Sequence, residues 1–186
     1  MFEWIRSVRR SSPSPAAIAR APAPVSSSSR PIPEPVAKPL PEVVQLYRSH
    51  QFAKAEQAAR AALVSNPSDY DATLVLGLVM LQCKRQAEGL KVLKQALALD
   101  PKRGEAHLHL GLQYLRGGRM DEALAALQTA VKCDPRLADA QFHLGNLLRE
   151  RGRTEESVQA CRAAVHADPK HADAHNNLAS LLRDQG

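Results

Sequence analysis

Four prolines recur at a fixed distance along the chain, and this spacing limits the possible folds more than any other feature of the sequence. They are Pro67, Pro101, Pro135 and Pro169, and the interval between one and the next is constant. An Asn or an Asp precedes every one of them. A fixed period of about 20–50 residues is the signature of repeat architectures, and the period here is about 34 residues. The spacing therefore predicts a stack of similar units instead of a single closed domain.

Units of this length, counted from residue 36, align small and apolar residues in columns. The units are 36–69, 70–103, 104–137 and 138–171, followed by a partial unit, 172–186. Place 8 of units two to five holds Gly77, Gly111, Gly145 and Ala179, and Leu precedes each of these residues. Place 27 of every complete unit holds Ala62, Ala96, Ala130 or Ala164. Agreement in so many columns identifies residues 42–186 as one repeat domain.

Each unit is predicted to form two helices. Apolar residues recur at steps of three and four in both halves, as in Leu124, Leu127 and Val131. A turn that contains glycine separates the halves of the third unit, at Gly117-Gly118, and of the fourth, at Gly152. The residue before each periodic proline is driven out of the helical region. Small residues at places 8 and 20 let the two backbones approach closely. One such hairpin cannot bury its apolar face alone, whereas a stack of three or more can. The fold class is therefore all-α, with antiparallel helix pairs stacked in a row.

The pattern of Leu-Gly at places 7 and 8, small residues at 20 and 27 and Pro at 32 resembles the tetratricopeptide repeat. The resemblance covers roughly 145 of the 186 residues. It implies an α-solenoid that forms a right-handed superhelix and binds proteins. Place 4, often Trp in that family, departs from the pattern, since it holds Thr73, His107, Gln141 and His175. The first unit lacks the Leu-Gly pair, and its prolines shorten its first helix to about residues 42–49, so we interpret unit 36–69 as a degenerate cap.

The resemblance also implies a groove lined by the first helix of each unit, with places 5, 6, 9, 12 and 13 directed into it. The residues predicted to bind a partner are Leu74, Leu78, Leu81, Leu108, His109, Leu112, Phe142, His143, Asn146, Arg149, Asn177 and Arg183. One end of this groove is apolar and the other is rich in side-chain amides. Amides both donate and accept hydrogen bonds, so they can hold the backbone of an extended peptide. The alternatives are that the leucines are core residues and that the asparagines lie on a solvated surface.

Two narrower resemblances concern the last units. The two-carboxylate clamp of chaperone-binding repeats is rejected, because Phe142 stands where that clamp needs a lysine. The segments FHLGNLLRERGR and HNNLASLLRDQG resemble the repeats that precede the catalytic domain of O-linked N-acetylglucosamine transferases, although only Asn177 matches their asparagine at place 6. The leading hypothesis is a non-enzymatic scaffold that binds a protein or an extended peptide. The rival is the substrate-recognition arm of a larger enzyme, namely such a glycosyltransferase. The partial last unit is either a terminal cap or the start of further chain.

Residues 1–41 are predicted to form a disordered tail, because nine of the 13 prolines lie there among serines and alanines. Within residues 1–10, the apolar Phe2, Trp4, Ile5 and Val8 alternate with arginines. An unstructured terminus, a segment that docks on a membrane surface or a partner, and a transit peptide all remain open for these residues. The tail holds six Arg and Lys against two Glu, which accounts for +4 of the net charge of +6. Nucleic-acid binding through the tail is therefore a third hypothesis, and we expect no nucleic-acid partner for the repeats.

The sequence contains no motif for catalysis, cofactor binding or metal binding. His107 and His109 lie two residues apart on a helix, about 200° around its axis, so they cannot share one ion. The cysteines Cys83, Cys133 and Cys161 form no C-x-x-C pair, which favours a reducing, cytoplasmic location. No apolar run approaches the ~20 residues of a membrane span. A row of acidic residues recurs at place 2. It reflects either the preference of carboxylates for the first turn of a helix or the recognition of a basic partner. Its members are Asp71, Glu105, Asp139 and Asp173.

Overall fold

A computed structural model of the chain describes residues 41–185. The predicted disordered tail, residues 1–41, lies outside the described residues except for Pro41, and the amphipathic segment 1–10 lies wholly outside them. Over the described range the chain forms nine α-helices and no β-strand. They are α1 (Glu42–Arg48), α2 (Phe52–Ser65), α3 (Tyr70–Gln82), α4 (Gln86–Leu99), α5 (Gly104–Arg116), α6 (Met120–Cys133), α7 (Ala138–Glu150), α8 (Thr154–Ala167) and α9 (Ala172–Gln185).

The helix boundaries follow the period of the sequence. The first helices of units two to five begin at Tyr70, Gly104, Ala138 and Ala172, at the same constant interval as the prolines, and the second helices keep that interval too. Each helix packs against the next one in the chain, and α5 and α9 also contact α7. This arrangement confirms the predicted α-solenoid of antiparallel helix pairs. The shortened first helix expected over residues 42–49 is α1, which ends at Arg48.

Close packing within each unit depends on places 8 and 24. A Cβ atom added to Gly111 at place 8 would lie 2.9 Å from Cγ of Leu127 at place 24, a distance that real Cβ atoms essentially never show. Gly77 and Leu93 repeat this arrangement in the second unit. The first unit reverses it, because the larger residue at place 8 is Val43 and place 24 is an alanine, Ala59, in the same core cluster. At this contact the larger side chain therefore belongs to the first helix in the first unit and to the second helix in the second and third units.

The turn between the helices of a unit places one residue in the left-handed region. This residue is at place 15 and has a φ of 58–71°. Gly118 and Gly152 adopt this conformation without strain, whereas Lys84 at the same place carries a side chain. Backbone hydrogen bonds close the turn, as when the amide N–H of Arg119 donates to the carbonyl of Tyr114 at 2.9 Å. The predicted glycine turns are therefore helix C-caps.

An arginine follows each of the three later turns and pairs with a glutamate three residues on. Arg85 Nη2 lies 2.6 Å from Glu88 Oε2, and Arg153 Nη2 lies 2.6 Å from Glu156 Oε2. The hydrogen bonds from the guanidinium group hold the pKa of the Glu156 carboxyl below its usual value. These pairs lie on the surface at the start of α4, α6 and α8.

The polar residues at place 4 connect neighbouring units. His107 Nε2 lies 3.0 Å from the carbonyl oxygen of Pro101. A carbonyl can only accept, so Nε2 carries the hydrogen. The same bond to the proline of the preceding unit recurs from Gln141 to Pro135 at 3.4 Å and from His175 to Pro169 at 3.0 Å. Place 4, where the family often has Trp, therefore hydrogen-bonds across the unit boundary here.

Candidate functional site

Four of the twelve predicted groove residues are buried. Leu74, Leu78, Leu81 and Leu108 expose 5–8% of their surface. The first three belong to one core cluster with Leu93 of α4, and Tyr47 of the short helix α1 packs against that cluster. Burial is what the alternative of core packing predicts for these leucines. They offer little surface to a partner.

The other eight predicted residues are accessible, and their accessibility increases along the stack. At place 9, Leu78 in α3 is buried, whereas Leu112 in α5 and Asn146 in α7 are half-buried. At place 12 the sequence runs from buried Leu81 to exposed Arg149. The half-buried residues of the set are His109, Leu112, Phe142, His143, Asn146 and Asn177, and the exposed ones are Arg149 and Arg183. The accessible part of the face therefore lies on α5, α7 and α9.

Polar side chains join α7 to α9 across this face. The Nδ2 group of Asn177 donates a hydrogen bond to Oδ1 of Asn146. The Nη2 group of Arg149 lies 3.1 Å from Oδ2 of Asp184 and 3.3 Å from Oγ of Ser180. Since an amide has both a carbonyl and an NH₂ group, each asparagine retains hydrogen-bonding capacity for a ligand. These bonds fix the two helices in a defined register.

Two adjoining depressions lie along the same face. Their volumes are about 270 Å³ and about 530 Å³. Asn146 and Glu150 line both of them, so the two depressions are neighbours. We call their lining the groove surface, and its side chains are Leu115, Met120, His143, Asn146, Leu147, Arg149, Glu150 and Asn177.

The groove surface includes residues that the predicted set omits. Glu150 and Leu115 stand at places 13 and 12, which the family resemblance directs into the groove. The repeat pattern alone could therefore have identified both residues. Met120 is the first residue of α6, a second helix, and is 39% exposed. Nothing in the repeat pattern assigns a second-helix residue to this face.

Two histidines on this face are neutral at neutral pH. Burial lowers the pKa of His109 to about 4, although the carboxylate of Asp139 opposes the shift. Burial also lowers the pKa of His143. A neutral imidazole both donates and accepts hydrogen bonds, so His143 adds a second kind of polar group to the groove surface.

Phe142 takes part in packing between α7 and the start of α9. Its ring centroid lies 5.1 Å from that of His143 and 4.9 Å from that of His171. His171 in turn lies 3.4 Å from Asp139 and accepts the amide hydrogen of Ala174 at the start of α9. Phe142 therefore supports the groove surface from one side.

The acidic row at place 2 has basic neighbours at two of its four positions. Asp71 lies 3.7 Å from Arg103, and Asp139 faces His171, the last residue of its own unit. Across residues 41–185 no group of three or more His, Cys, Asp or Glu side chains is arranged to hold a metal ion. None of the described helices is both long enough and apolar enough to cross a membrane.

The burial of His109 predicts that the protein loses stability as the pH falls. The pKa of His109 is about 4 in the folded chain and about 6.5 in an unfolded one, so the unfolded state binds more protons between these values. Stability is complete above pH 6.5 and is lost down to about pH 4, by about 3 kcal/mol in total for this group. Urea unfolding of His109→Gln at pH 7 and at pH 4.5 should show a smaller difference than the parent chain. The matched control is His166→Gln on the exposed face of α8, and an unchanged difference in His109→Gln would contradict the assignment.

Comparisons with known proteins agree with this architecture. The sequence matches the family model of the tetratricopeptide repeat over residues 42–103, 85–138, 108–172 and 142–186. A crystal structure of MamA superimposes with a TM-score of 0.62 at 21% identity, over 79% of this chain and 86% of that one. MamA from Desulfovibrio magneticus, residue 41 to the end, gives 0.60 at 20% identity, over 77% and 81%. No curated protein sequence matches this chain. The likeness to the solved structures is one of fold.

Proposed function

Because this chain belongs to the tetratricopeptide repeat family, whose fold generally serves protein interaction, we propose that it is a scaffold whose groove surface binds an extended segment of a partner protein. The observation that carries the proposal is the pair of adjoining depressions along α7, one bordered by α5 and the other by α9, with Asn146 lining both and Asn177 lining the second. An extended peptide presents an N–H and a C=O group at every residue, and amide side chains match both. Such a surface recognises a backbone with little regard to its sequence.

The charge of the groove surface favours a basic residue in the partner segment. Arg149 is already paired with Asp184, whereas Glu150 takes part in none of the ion pairs formed among residues 41–185. Glu150 lines both depressions, so its carboxylate faces the space that the peptide occupies. A Lys or Arg side chain placed beside it gains a charge-assisted hydrogen bond. The proposed ligand is therefore an extended segment that carries at least one basic residue.

The proposal predicts that substitutions on the groove surface weaken peptide binding without unfolding the protein. A randomised peptide library is selected on the full chain, and the enriched peptides are measured by fluorescence anisotropy. Asn146→Ala combined with Asn177→Ala removes two hydrogen-bonding amides and should weaken binding about tenfold or more. Glu150→Lys should abolish the binding of those enriched peptides that contain Lys or Arg.

The matched control is Gln159→Ala, because Gln159 is an exposed amide on the second helix α8 and does not line either depression. Circular dichroism should give the same melting temperature for all variants within a few degrees. Enriched peptides that bind the double variant as tightly as the parent would exclude the groove surface as their site. An enriched set without basic residues would exclude the role of Glu150 while leaving the amide site intact.

The recognition arm of a larger glycosyltransferase stays a second hypothesis. Its support is Asn177 on the groove surface, the one residue that matches the asparagine at place 6 of those repeats. Reading the coding sequence beyond the codon of residue 186 tests it, because a catalytic domain must follow. The groove surface would then bind the protein substrate of that enzyme.

A further inference from the structure

A depression with largely apolar walls lies between the first two units, on α2, α3 and α4. Its volume is about 400 Å³, within the range of about 300–1,000 Å³ that is usual for ligand pockets. Its apolar wall residues include Leu63, Leu76, Val92 and Leu99, and Pro67 and Thr73 also line it. We call it the second-unit pocket. None of its lining residues belongs to the groove surface.

The later units show what occupies the corresponding space. There the side chain at place 4 reaches the proline carbonyl of the preceding unit and donates an N–H group to it, as His107 does to Pro101. Thr73 at the same place makes no such bond, because its Oγ1 group donates to the carbonyl oxygen of Asp69 at 2.7 Å. Within residues 41–185, no group donates to the carbonyl oxygen of Pro67. The second-unit pocket therefore stands where the other units place a side chain with an N–H donor.

The walls of the second-unit pocket are larger than their counterparts in the next two units. Val92 stands at place 23 and Leu99 at place 30. The residues that the third and fourth units have instead are Ala126 and Ala160 at place 23, and Cys133 and Ala167 at place 30. Leu99 exposes 40% of its surface, so the pocket has an apolar rim in contact with water. A ligand that covers this rim removes apolar surface from water, which favours binding.

We propose that the second-unit pocket binds an indole group, which is a flat apolar ring with one N–H donor. The N–H group donates to the carbonyl oxygen of Pro67, as the imidazole of His107 does to that of Pro101. The ring packs against Val92 and Leu99, whose size suits a ring larger than imidazole. An aliphatic ligand lacks the donor, and a charged one loses its hydration against apolar walls. The site does not depend on peptide binding at the groove surface.

The test compares indole with benzofuran, which has the same shape but an oxygen atom in place of the N–H group. Ligand-observed NMR titrations use the full chain with Trp4→Ala, because Trp4 is the only tryptophan of the sequence and could compete. Indole should bind with a dissociation constant of about 1 mM or lower, and benzofuran about threefold or more weakly.

The same titration of the parent chain distinguishes two sources of the indole group. Indole that binds the parent more weakly than Trp4→Ala means that Trp4 of this chain competes for the pocket. Equal binding means that the natural ligand comes from another molecule. Both results support the site.

Two substitutions locate the binding site. Thr73→His introduces the side chain that the third and fifth units already hold at this place, so it should fill the pocket without unfolding the protein and weaken indole binding about tenfold or more. Leu99→Gln removes an exposed apolar wall and should weaken binding about threefold or more. The matched control is Leu182→Gln, because Leu182 is similarly exposed, at 42%, and does not line the pocket.

Circular dichroism should show that all these variants keep the helices of residues 41–185. The proposal fails if indole does not bind Trp4→Ala at concentrations up to about 5 mM, or if benzofuran binds as tightly as indole. It also fails if binding survives Thr73→His, or if Leu182→Gln weakens binding as much as Leu99→Gln does.

Discussion

Replacing Leu78 by glutamate is expected to lower the free energy of unfolding by about 4 kcal/mol or more. Leu78 exposes only 6% of its surface and shares a core cluster with Leu74, Leu81 and Leu93. The substitution removes this apolar contact and places a carboxylate among apolar side chains that cannot pair with it. Urea unfolding followed by circular dichroism measures the loss, which should appear as a large shift of the midpoint.

The same substitution one unit further along provides the control. Leu112 occupies the same place in α5 as Leu78 does in α3, but it is half-buried. Leu112→Glu should therefore cost less than about 2 kcal/mol, because the carboxylate can reach water. If Leu78→Glu were as mild as Leu112→Glu, Leu78 would be accessible and the groove surface would have to extend onto α3.

The contrast between Leu78 and Leu112 shows what the repeat pattern could not predict. The pattern assigns both residues to the inward face, and on that basis both would be expected to tolerate glutamate. Their burial depends on neighbours outside their own unit. Around α3, the short helix α1 lies close and its Tyr47 packs against the leucine cluster. A single helix as apolar as α3 is compatible with burial on every side or with exposed binding surface, and only tertiary packing distinguishes the two.

The fold itself could be predicted almost completely. Helix boundaries depend on local features that recur in every unit, namely the periodic prolines, the left-handed turn residues and the three- and four-residue spacing of leucines. The predicted boundary of the first helix differs from that of α1 by one residue. Local signals of this kind repeat in register, so each unit supports the assignment of the next.

The groove surface could be predicted only in part. The sequence places Asn146 and Asn177 there as separate amides, but the hydrogen bond between them depends on the register of α7 against α9. That register is a tertiary property which no single unit encodes. Met120 joins the groove surface from the start of a second helix, where the pattern gives no inward place. Polar residues that act across units therefore need the structure before their roles can be assigned.

Val43 is a further residue whose role could not be predicted from the sequence. It departs from the Leu-Gly pattern, and by sequence alone this departure indicates a degenerate unit. In the structure it is buried together with Ala59, and the two residues exchange the sizes that Gly77 and Leu93 have in the next unit. The departure is thus compensated within the same contact. A column-by-column comparison of units misses this, because the compensation links two columns.

This compensation predicts strong coupling between Gly111 and Leu127. Gly111→Val introduces a Cβ atom 2.9 Å from Cγ of Leu127, and the overlap should cost about 3 kcal/mol. Leu127→Ala should also cost about 3 kcal/mol, because Leu127 is 0% exposed and its removal leaves a cavity. The double variant recreates the pair Val43 and Ala59, so it should be more stable than the sum of the single losses predicts, by about 2 kcal/mol.

Urea unfolding of the parent, the two single variants and the double variant completes this cycle. The matched control combines Leu127→Ala with Ala179→Val, whose site lies two units away and is exposed, so that the two losses should add within about 0.5 kcal/mol. Additivity of Gly111→Val and Leu127→Ala would mean that the first unit tolerates Val43 for some other reason. Coupling of the expected size would instead show that side-chain sizes at places 8 and 24 compensate for one another, as Val43 and Ala59 do in the first unit.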